Sequence, residues 1–287
     1  MTSWFLLRTS TLLNMTIESY QTPSWKRKFR SFFGVSLDIM VEIWTRISRP
    51  GPEKLEKEHL LIGLYFLKVY PTESVGASVF KVQEKTFRKW AKVVVTRISE
   101  MGLIDFEDRW IRWDRLVPSM YIDGIDFKVP EGPVFNKDDW SHKHNSAGLR
   151  YEIGTALGCS KIVHIAGGVP CGSWPDLKIA KKCLLPRLMP GEKPAADSGY
   201  RDVDNRFLTA FRKTGGTSVM KAINISLKRM GARHESVNAR IRIFACLGHG
   251  LFRHGRSFHP IVFTAVANLV QMLLREEPLW DILSYLE

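Results

Sequence analysis

The sequence predicts an α/β chain in which a helical first third precedes a region of short strands and helices. Two observations indicate this division. Apolar residues recur at helical spacing up to residue 101, whereas short β-rich runs begin at residue 120. We therefore expect a helical module over residues 1–118 and an α/β domain over residues 119–287.

The helical module is predicted to contain three long helices. Apolar residues recur every three or four positions in residues 36–47, and Ser36 can cap that helix. A break follows at residues 50–52, where Pro, Gly and Pro succeed one another. The second helix is expected over residues 53–70 and the third over residues 83–101, joined by a turn over residues 72–78 and a short helix after it.

A basic face marks the third of these helices. Its apolar positions alternate with cations that share the opposite face, namely Lys85, Arg88, Lys89 and Lys92. Helix, turn with short helix, and basic helix is the layout of a helix-turn-helix, so this face could lie in a DNA groove or on phosphates. An ordinary three-helix module with a solvated basic side is an equally good interpretation.

The α/β domain is predicted from short runs separated by Gly, Asn and Ser. Strands are expected over residues 120–129, 149–157 and 161–166, followed by a helix over residues 175–188. A fourth strand should end with Ala195-Ala196-Asp197, and helices over residues 234–246 and 259–274 should close the chain. Three strands, a helix, a strand and further helices is the order of an RNase H-like core, a mixed sheet with flanking helices.

Composition limits the partners of the chain. The formal net charge is +13 over 287 residues, which favours a polyanion, most simply a nucleic acid. The four cysteines form no CxxC pair, so we expect no zinc knuckle. No apolar stretch is expected to reach transmembrane length, and we predict no membrane partner. The basic cluster around Lys26-Arg27-Lys28 could act as a nuclear import signal, which predicts a nuclear protein.

Three carboxylates stand where a two-metal nuclease would need them. Asp123 follows an apolar strand, Asp197 ends another, and Glu235 is predicted in the first turn of a helix. Paired hard cations require several converging carboxylates, so these residues could hold two Mg²⁺ or Mn²⁺ ions. Side chains alternate along a strand, so Asp126 should face away from Asp123. We choose Asp123 because Gly124 leaves room for a ligand.

Further polar residues are candidates for phosphate contact. On the Glu235 helix, Asn238 and Arg242 should share a face with the carboxylate, apart from a buried stripe of Val237, Ile241 and Phe244. A solvated polar face is the alternative. Lys143, in the loop after the first strand, could also contact phosphate, or simply belong to a polar hairpin.

At these residues the chain resembles the DDE superfamily endonucleases of Harbinger-type and related transposases. The resemblance covers most of the chain and is carried by several short motifs. They are Tyr121-Ile122-Asp123-Gly124, Ser141-His142-Lys143-His144-Asn145, Gly148-Leu149-Arg150-Tyr151-Glu152, Gly172-Ser173-Trp174-Pro175-Asp176, Ala196-Asp197-Ser198-Gly199-Tyr200, Arg233-His234-Glu235-Ser236-Val237-Asn238 and Val262-Phe263-Thr264-Ala265-Val266.

The resemblance implies an RNase H-like core that uses two Mg²⁺ ions to cut DNA at transposon ends, with strand transfer as a further step. It maps the metal ligands to Asp123, Asp197 and Glu235, with Asp176 as a rival for the second aspartate. It also implies a separate DNA-binding partner protein, and it is compatible with a homo-oligomer. The alternative is a domesticated, catalytically silent DNA-binding protein derived from a transposase.

Overall fold

The structure is a computed structural model that describes residues 1–49, 53–113, 118–211, 217–248 and 250–282. Its contacts group the chain into two compact units. The first comprises Met1–Gly102, Ile241–Gly250 and Ser257–Leu273, and the second comprises Leu103–Arg240, Leu251–Arg256 and Leu274–Glu287. The predicted break at residues 50–52 lies outside the described residues. The division of roles at residue 118 stays a prediction.

The first unit begins with six α-helices among its described residues. They are α1 (Thr2–Leu13), α2 (Pro23–Phe33), α3 (Leu37–Ile47), α4 (Lys57–Val69), α5 (Glu73–Phe80) and α6 (Glu84–Ser99). The predicted cap of α3 is confirmed, since Ser36 Oγ accepts a bond of 3.1 Å from the Ile39 amide. The short helix α5 begins at once after Thr72, where we predicted a turn, because the Thr72 hydroxyl caps the Val75 amide.

A helix from the end of the chain completes this first unit. Helix α9 spans His259–Glu276, and its residues up to Leu273 belong to the unit. The amide of the buried Asn268 donates bonds of 2.9 Å to Ile98 O and 3.2 Å to Ser99 O, at the carboxyl end of α6. These bonds give additional donors to carbonyls in the last turn of α6, where Ile98 O also accepts a bond of 3.3 Å from the Met101 amide.

The same helix corrects one expectation about membranes. By length and composition, residues Arg256–Glu276 could cross a bilayer, so the prediction that no stretch reaches that length is wrong. However, 72% of the apolar window is buried inside the protein, as in the core helix of many globular domains. It is weak evidence for a membrane span.

The second unit is built on a mixed sheet. Its strands are β1 (Met120–Lys128), β2 (Trp140–Ser141), β3 (Ser146–Ala156), β4 (Ile162–Pro170) and β5 (Ala195–Ala196). Strand β3 lies between β1 and β4 and pairs antiparallel with both, and β5 runs parallel to β1 on its other side. The three predicted long strands and the short fourth are confirmed, while the two-residue β2 was not predicted.

Two helices flank this sheet. Helix α7 (Asp176–Cys183) packs on the face that carries Met120 and Ile122, through a buried cluster that includes Ala180. Helix α8 (Ser218–Arg242) contributes Leu227 and Met230 to a second buried cluster. This cluster forms around Tyr121, which lies between Met120 and Ile122 on β1. Because successive residues of β1 point to opposite faces, the two clusters lie on opposite sides of the sheet. The predicted mixed sheet with flanking helices is therefore confirmed.

Candidate functional site

Asp123 lies in the middle of β1 and is only partly exposed. Its Oδ1 accepts a hydrogen bond of 2.7 Å from the Gly124 amide, which fixes the side chain against its own strand. The Lys143 ammonium donates a bond of 2.9 Å to the Gly124 carbonyl. The loop after β1 therefore places the positively charged Lys143 side chain next to Gly124, the neighbour of Asp123 on the strand.

Asp197 follows directly after β5. The parallel register pairs Ala195 with Tyr121 and Ala196 with Ile122. Continued by one residue, this register brings Asp197 alongside Asp123 on the same face of the sheet. The Asp197 side chain is exposed and accepts one bond of 3.3 Å from its neighbour Ser198.

Glu235 is exposed on α8, but it does not lie in the first turn of a helix as we predicted. Helix α8 begins at Ser218, so Glu235 stands well inside it. Its two preceding neighbours hold the helix on the sheet. The Arg233 guanidinium donates 2.7 Å bonds to Ala156 O and Cys159 O, and His234 Nδ1 lies 2.9 Å from Thr155 Oγ1.

The charges of the three predicted carboxylates all act on one neighbouring side chain, Tyr121. Burial raises the pKa of Asp123 to about 6, and the negative charges of Asp176 and Glu235 add to this rise. The Lys143 charge and the Gly124 amide act in the opposite direction. Burial also raises the pKa of Tyr121, and the charges of Asp123, Asp197 and Glu235 raise it further. Tyr121 thus stands within electrostatic range of all three.

Asp176 joins this group, although the sequence placed it only as a rival. It stands in the first turn of α7, and a Cβ at position 124 would overlap its carboxylate. The space above Gly124 is therefore taken by Asp176, which corrects our expectation that a ligand would use it. Asp176 Oδ1 is buried without a hydrogen-bond partner and lies 3.3 Å from Arg150 Nε.

Asp126 has a structural position instead. Its carboxylate accepts bonds of 2.7 and 2.9 Å from the Arg150 guanidinium and 2.6 Å from the Ser141 hydroxyl. Burial alone would raise the pKa of Asp126, but these donors outweigh it and lower that pKa. Both carboxylate oxygens of Asp126 therefore already have hydrogen-bond donors, and the choice of Asp123 as the metal ligand stays a prediction.

The two residues of α8 that were predicted to contact phosphate, Asn238 and Arg242, differ in their exposure to solvent. Asn238 is 6% exposed and its Oδ1 has no hydrogen-bond partner, so it does not share a solvent-facing stripe with Glu235 as expected. Arg242 is the last residue of α8 and is half-buried. Val237, Ile241 and Phe244 are buried as predicted. Of these side chains, only Lys143 is placed beside the carboxylates by a described contact.

The basic residues of α6 share an exposed face, as the sequence predicts. Lys85, Arg88, Lys89 and Lys92 are all exposed. Arg88 already forms an ion pair with Glu73, its Nε donating a 2.6 Å bond to Glu73 Oε1. Lys89 stands 4.8 Å from the centre of the Trp90 ring. Their contact with DNA stays a prediction.

The donor set fits hard divalent cations, which prefer carboxylate oxygens. Burial and neighbouring negative charges raise the pKa of Asp123, although the Lys143 charge acts in the opposite direction. Asp176 Oδ1 has no hydrogen-bond partner, and its negative charge faces the Arg150 guanidinium at 3.3 Å. Among the described residues, however, no three His, Cys, Asp or Glu side chains converge closely enough to hold an ion as they stand. Like charges repel each other in a metal-free site, so the carboxylates would have to rotate inward to bind.

Comparison with known families decides the classification. A family profile described as DDE superfamily endonuclease matches residues 122–271, just over half of the chain. The chain belongs to this family. The DDE endonucleases are nucleases and transposases that act on DNA and generally use divalent metals. The chain matches no curated protein and no solved structure.

Sequence reasoning underestimated Asp176 and Lys143. The signal for Asp176 was the proline before it, since Pro175 is the N-cap of α7 and marks Asp176 as the first helical residue. The sequence gave a weaker indication for Lys143, because a loop sequence does not predict which strand carbonyl will accept a hydrogen bond from the lysine ammonium. Both residues are located beside Asp123 by their contacts with Gly124 in the structure.

Proposed function

We propose that this protein is a DNA endonuclease of the Harbinger-type transposases, with Asp123, Asp197 and Glu235 as its metal ligands. The observation that supports the proposal is that the charges of all three carboxylates act on Tyr121, although the residues come from two parallel strands and a helix. Strand order β4-β3-β1-β5, with β5 alone parallel to β1, supports the assignment of an RNase H-like core.

If two Mg²⁺ or Mn²⁺ ions were held here, they would activate a water molecule or a DNA 3′-hydroxyl as the nucleophile. They would also stabilise the leaving oxygen of the phosphodiester. The residues of the chain provide the rest. Asp123, Asp197 and Glu235 would hold the ions, with Asp176 close enough to share their charge. The Lys143 ammonium, beside the Gly124 carbonyl, would neutralise and orient a phosphate.

The rest of the chain would bring DNA to this site. A net charge of +13 favours binding to the duplex, and the exposed cations of α6 would contact its backbone in a helix-turn-helix-like manner. We propose that the protein acts in the nucleus, with transposon ends as its substrate. A separate DNA-binding protein, or a second copy of the chain, would help to select those ends.

The test is cleavage of duplex DNA by the whole protein with Mg²⁺ or Mn²⁺. We expect cleavage by the natural protein, loss of at least about a hundredfold in Asp197→Asn, and little change in Asp204→Asn, an exposed aspartate of the same loop. Equal cleavage by Asp197→Asn and the natural protein would contradict the proposed ligand set.

One observation favours the second candidate, a domesticated DNA-binding protein without catalysis. As described, the carboxylates do not converge enough to hold an ion. Under this alternative, the protein binds DNA in a salt-dependent manner, but no divalent metal produces cleavage. Metal-dependent cleavage that disappears in Asp197→Asn would exclude it.

A further inference from the structure

Helix α8 contacts β1 at Gly231, where no side chain separates the two elements. A Cβ atom at this position would stand 3.1 Å from the Tyr121 hydroxyl oxygen and 3.4 Å from the ring carbon that carries it. Tyr121 is buried, and its ring packs in a cluster with Leu227 and Met230 of the same helix, so it has little room to move aside. The missing side chain therefore sets how near α8 lies to β1.

The helix and the strand run in the same direction. Leu227 and Met230, in the middle of α8, pack around Tyr121 near the start of β1. After the helix ends, the Phe252 amide donates a bond of 3.1 Å to Lys128 O at the end of the same strand. The chain thus advances along β1 as it passes from α8 to Phe252.

This direction and two residue spacings bring Glu235 to the level of Asp123. Glu235 follows Gly231 by one helical turn, about 6 Å along α8 and on the same side of the helix. Asp123 follows Tyr121 by two residues, about 6.6 Å along β1 and on the same face of the sheet. The two advances agree to within about 1 Å. In accordance with this geometry, the negative charge of Glu235 contributes to the raised pKa of both Tyr121 and Asp123.

Rotation of α8 about its own axis is restrained by Arg233 and His234. The Arg233 guanidinium is 2% exposed and donates bonds of 2.7, 2.7 and 3.0 Å to three backbone carbonyls, those of Ala156, Cys159 and Trp280. The ring of His234 is buried, with Nδ1 2.9 Å from Thr155 Oγ1. Because the helix is held in this way, a side chain at position 231 would have to push α8 away from β1, and Glu235 would move with it.

We propose that the close contact between Gly231 and Tyr121 positions Glu235 beside Asp123 as the third ligand of the metal site. The inference rests on the proposed metal site. Gly231 is a positioning residue, because it acts through Glu235 and has no side chain that could bind metal or DNA.

Calorimetric titration of the whole protein with Mn²⁺ tests the inference without requiring cleavage. Gly231→Ala adds one methyl group at the contact, and we expect about tenfold weaker Mn²⁺ binding, as for other residues that orient metal ligands. Alanine is a better helix former than glycine, so a purely local effect on α8 predicts no such loss. The matched control is Ser236→Ala, which removes a hydroxyl bonded to Ala232 O within the same helix. It should bind Mn²⁺ within about twofold of the natural protein.

Two double variants identify the cause of the loss. Tyr121→Phe removes the oxygen that the new methyl group would meet, so Gly231→Ala should weaken Mn²⁺ binding by less than about twofold in that background. In a Glu235→Gln background, Gly231→Ala should cause no further loss, since the ligand through which it acts is already absent. Unchanged binding in Gly231→Ala alone, or a tenfold loss that persists in either background, overturns the inference.

Urea denaturation of the metal-free protein separates this inference from the proposed function. If the natural protein binds no Mn²⁺, the proposed function fails, but the contact is still tested by stability. Gly231→Ala should raise the midpoint of urea denaturation more in the Tyr121→Phe background than in the natural protein, because only the natural protein has the obstructing oxygen. An equal change of the midpoint in the two backgrounds contradicts the contact, and failure of Gly231→Ala to fold in both has the same consequence.

Discussion

Replacing Asp123 by asparagine should stabilise the metal-free protein at neutral pH, although it should abolish metal-dependent activity. Burial is the main reason that the pKa of Asp123 rises from its ordinary value of 3.8 to about 6. Between these two pH values the folded protein keeps a proton that the unfolded chain has lost. Folding stability therefore falls as the pH rises through this window, and the full penalty is present above pH 6.

The size of the effect follows from the two pKa values. A rise from 3.8 to about 6 corresponds to roughly 3 kcal/mol of destabilisation by the ionised carboxylate. An asparagine keeps an oxygen to accept the 2.7 Å bond from the Gly124 amide. The buried amide still has its own desolvation cost, and the site is partly screened by solvent. We therefore expect Asp123→Asn to gain about 1–3 kcal/mol at pH 7.5 and clearly less at pH 4.5.

The assay is urea denaturation of both proteins at the two pH values, with a chelator present. Asp126→Asn is the matched control on the same strand. Since the Arg150 and Ser141 donors lower the pKa of Asp126, that variant should lose stability at pH 7.5. A gain for Asp123→Asn that is equal at both pH values, or a loss at pH 7.5, would refute the reasoning. Added Mn²⁺ should stabilise the natural protein but not Asp123→Asn.

Three further outcomes are expected. Arg150→Met should lower the free energy of unfolding by about 3–5 kcal/mol, because it leaves the buried Asp126 carboxylate without its bidentate partner. Urea denaturation measures this loss of stability, and a loss below about 1 kcal/mol would contradict the prediction. Thr155→Val should cost about 1–3 kcal/mol by removing the partner of His234 Nδ1, whereas Thr155→Ser should retain most of the stability. DNA affinity should fall steeply between about 50 and 200 mM salt in a fluorescence titration, and a flat dependence would argue against phosphate contacts.

The elements of the sheet were predictable because their patterns are local. Strand β1 has apolar residues on both faces and ends near Val129, so its existence and length follow from the sequence. Helix α3 likewise has a clear stripe and a serine cap. Both are short-range signals, and both agree with the structure within about one or two residues.

The start of α8 could not be predicted in the same way. Its first half, from Ser218, mixes exposed polar residues with the exposed apolar residues Val219, Met220 and Ile225, and Gly231 looks like a helix breaker. In the structure, the missing side chain at Gly231 makes room for Tyr121, whose hydroxyl would stand 3.1 Å from a Cβ there. A contact between residues so distant in sequence explains why the glycine lies inside the helix, and no local pattern indicates it.

The candidate site was predictable in composition but not in arrangement. Strand ends and short motifs indicated Asp123 and Asp197, and the parallel register of β5 pairs the two residues before Asp197 with the two before Asp123. The burial of Asn238 depends on how α8 rotates on the sheet, which its polar spacing alone leaves undetermined. The position of Asp176 depends on the entry of α7 above Gly124, which is again a long-range contact.

The late helix α9 has a consequence for synthesis of the protein. The first unit needs residues 257–273, which bind the end of α6 through Asn268. A ribosome adding about 5–20 residues per second would release these residues roughly 10–30 s after residue 102. The apolar faces of α1 to α6 that pack against α9 therefore stay uncovered until nearly the whole polypeptide has left the ribosome. A nascent chain stalled before α9 should depend on chaperones for its solubility.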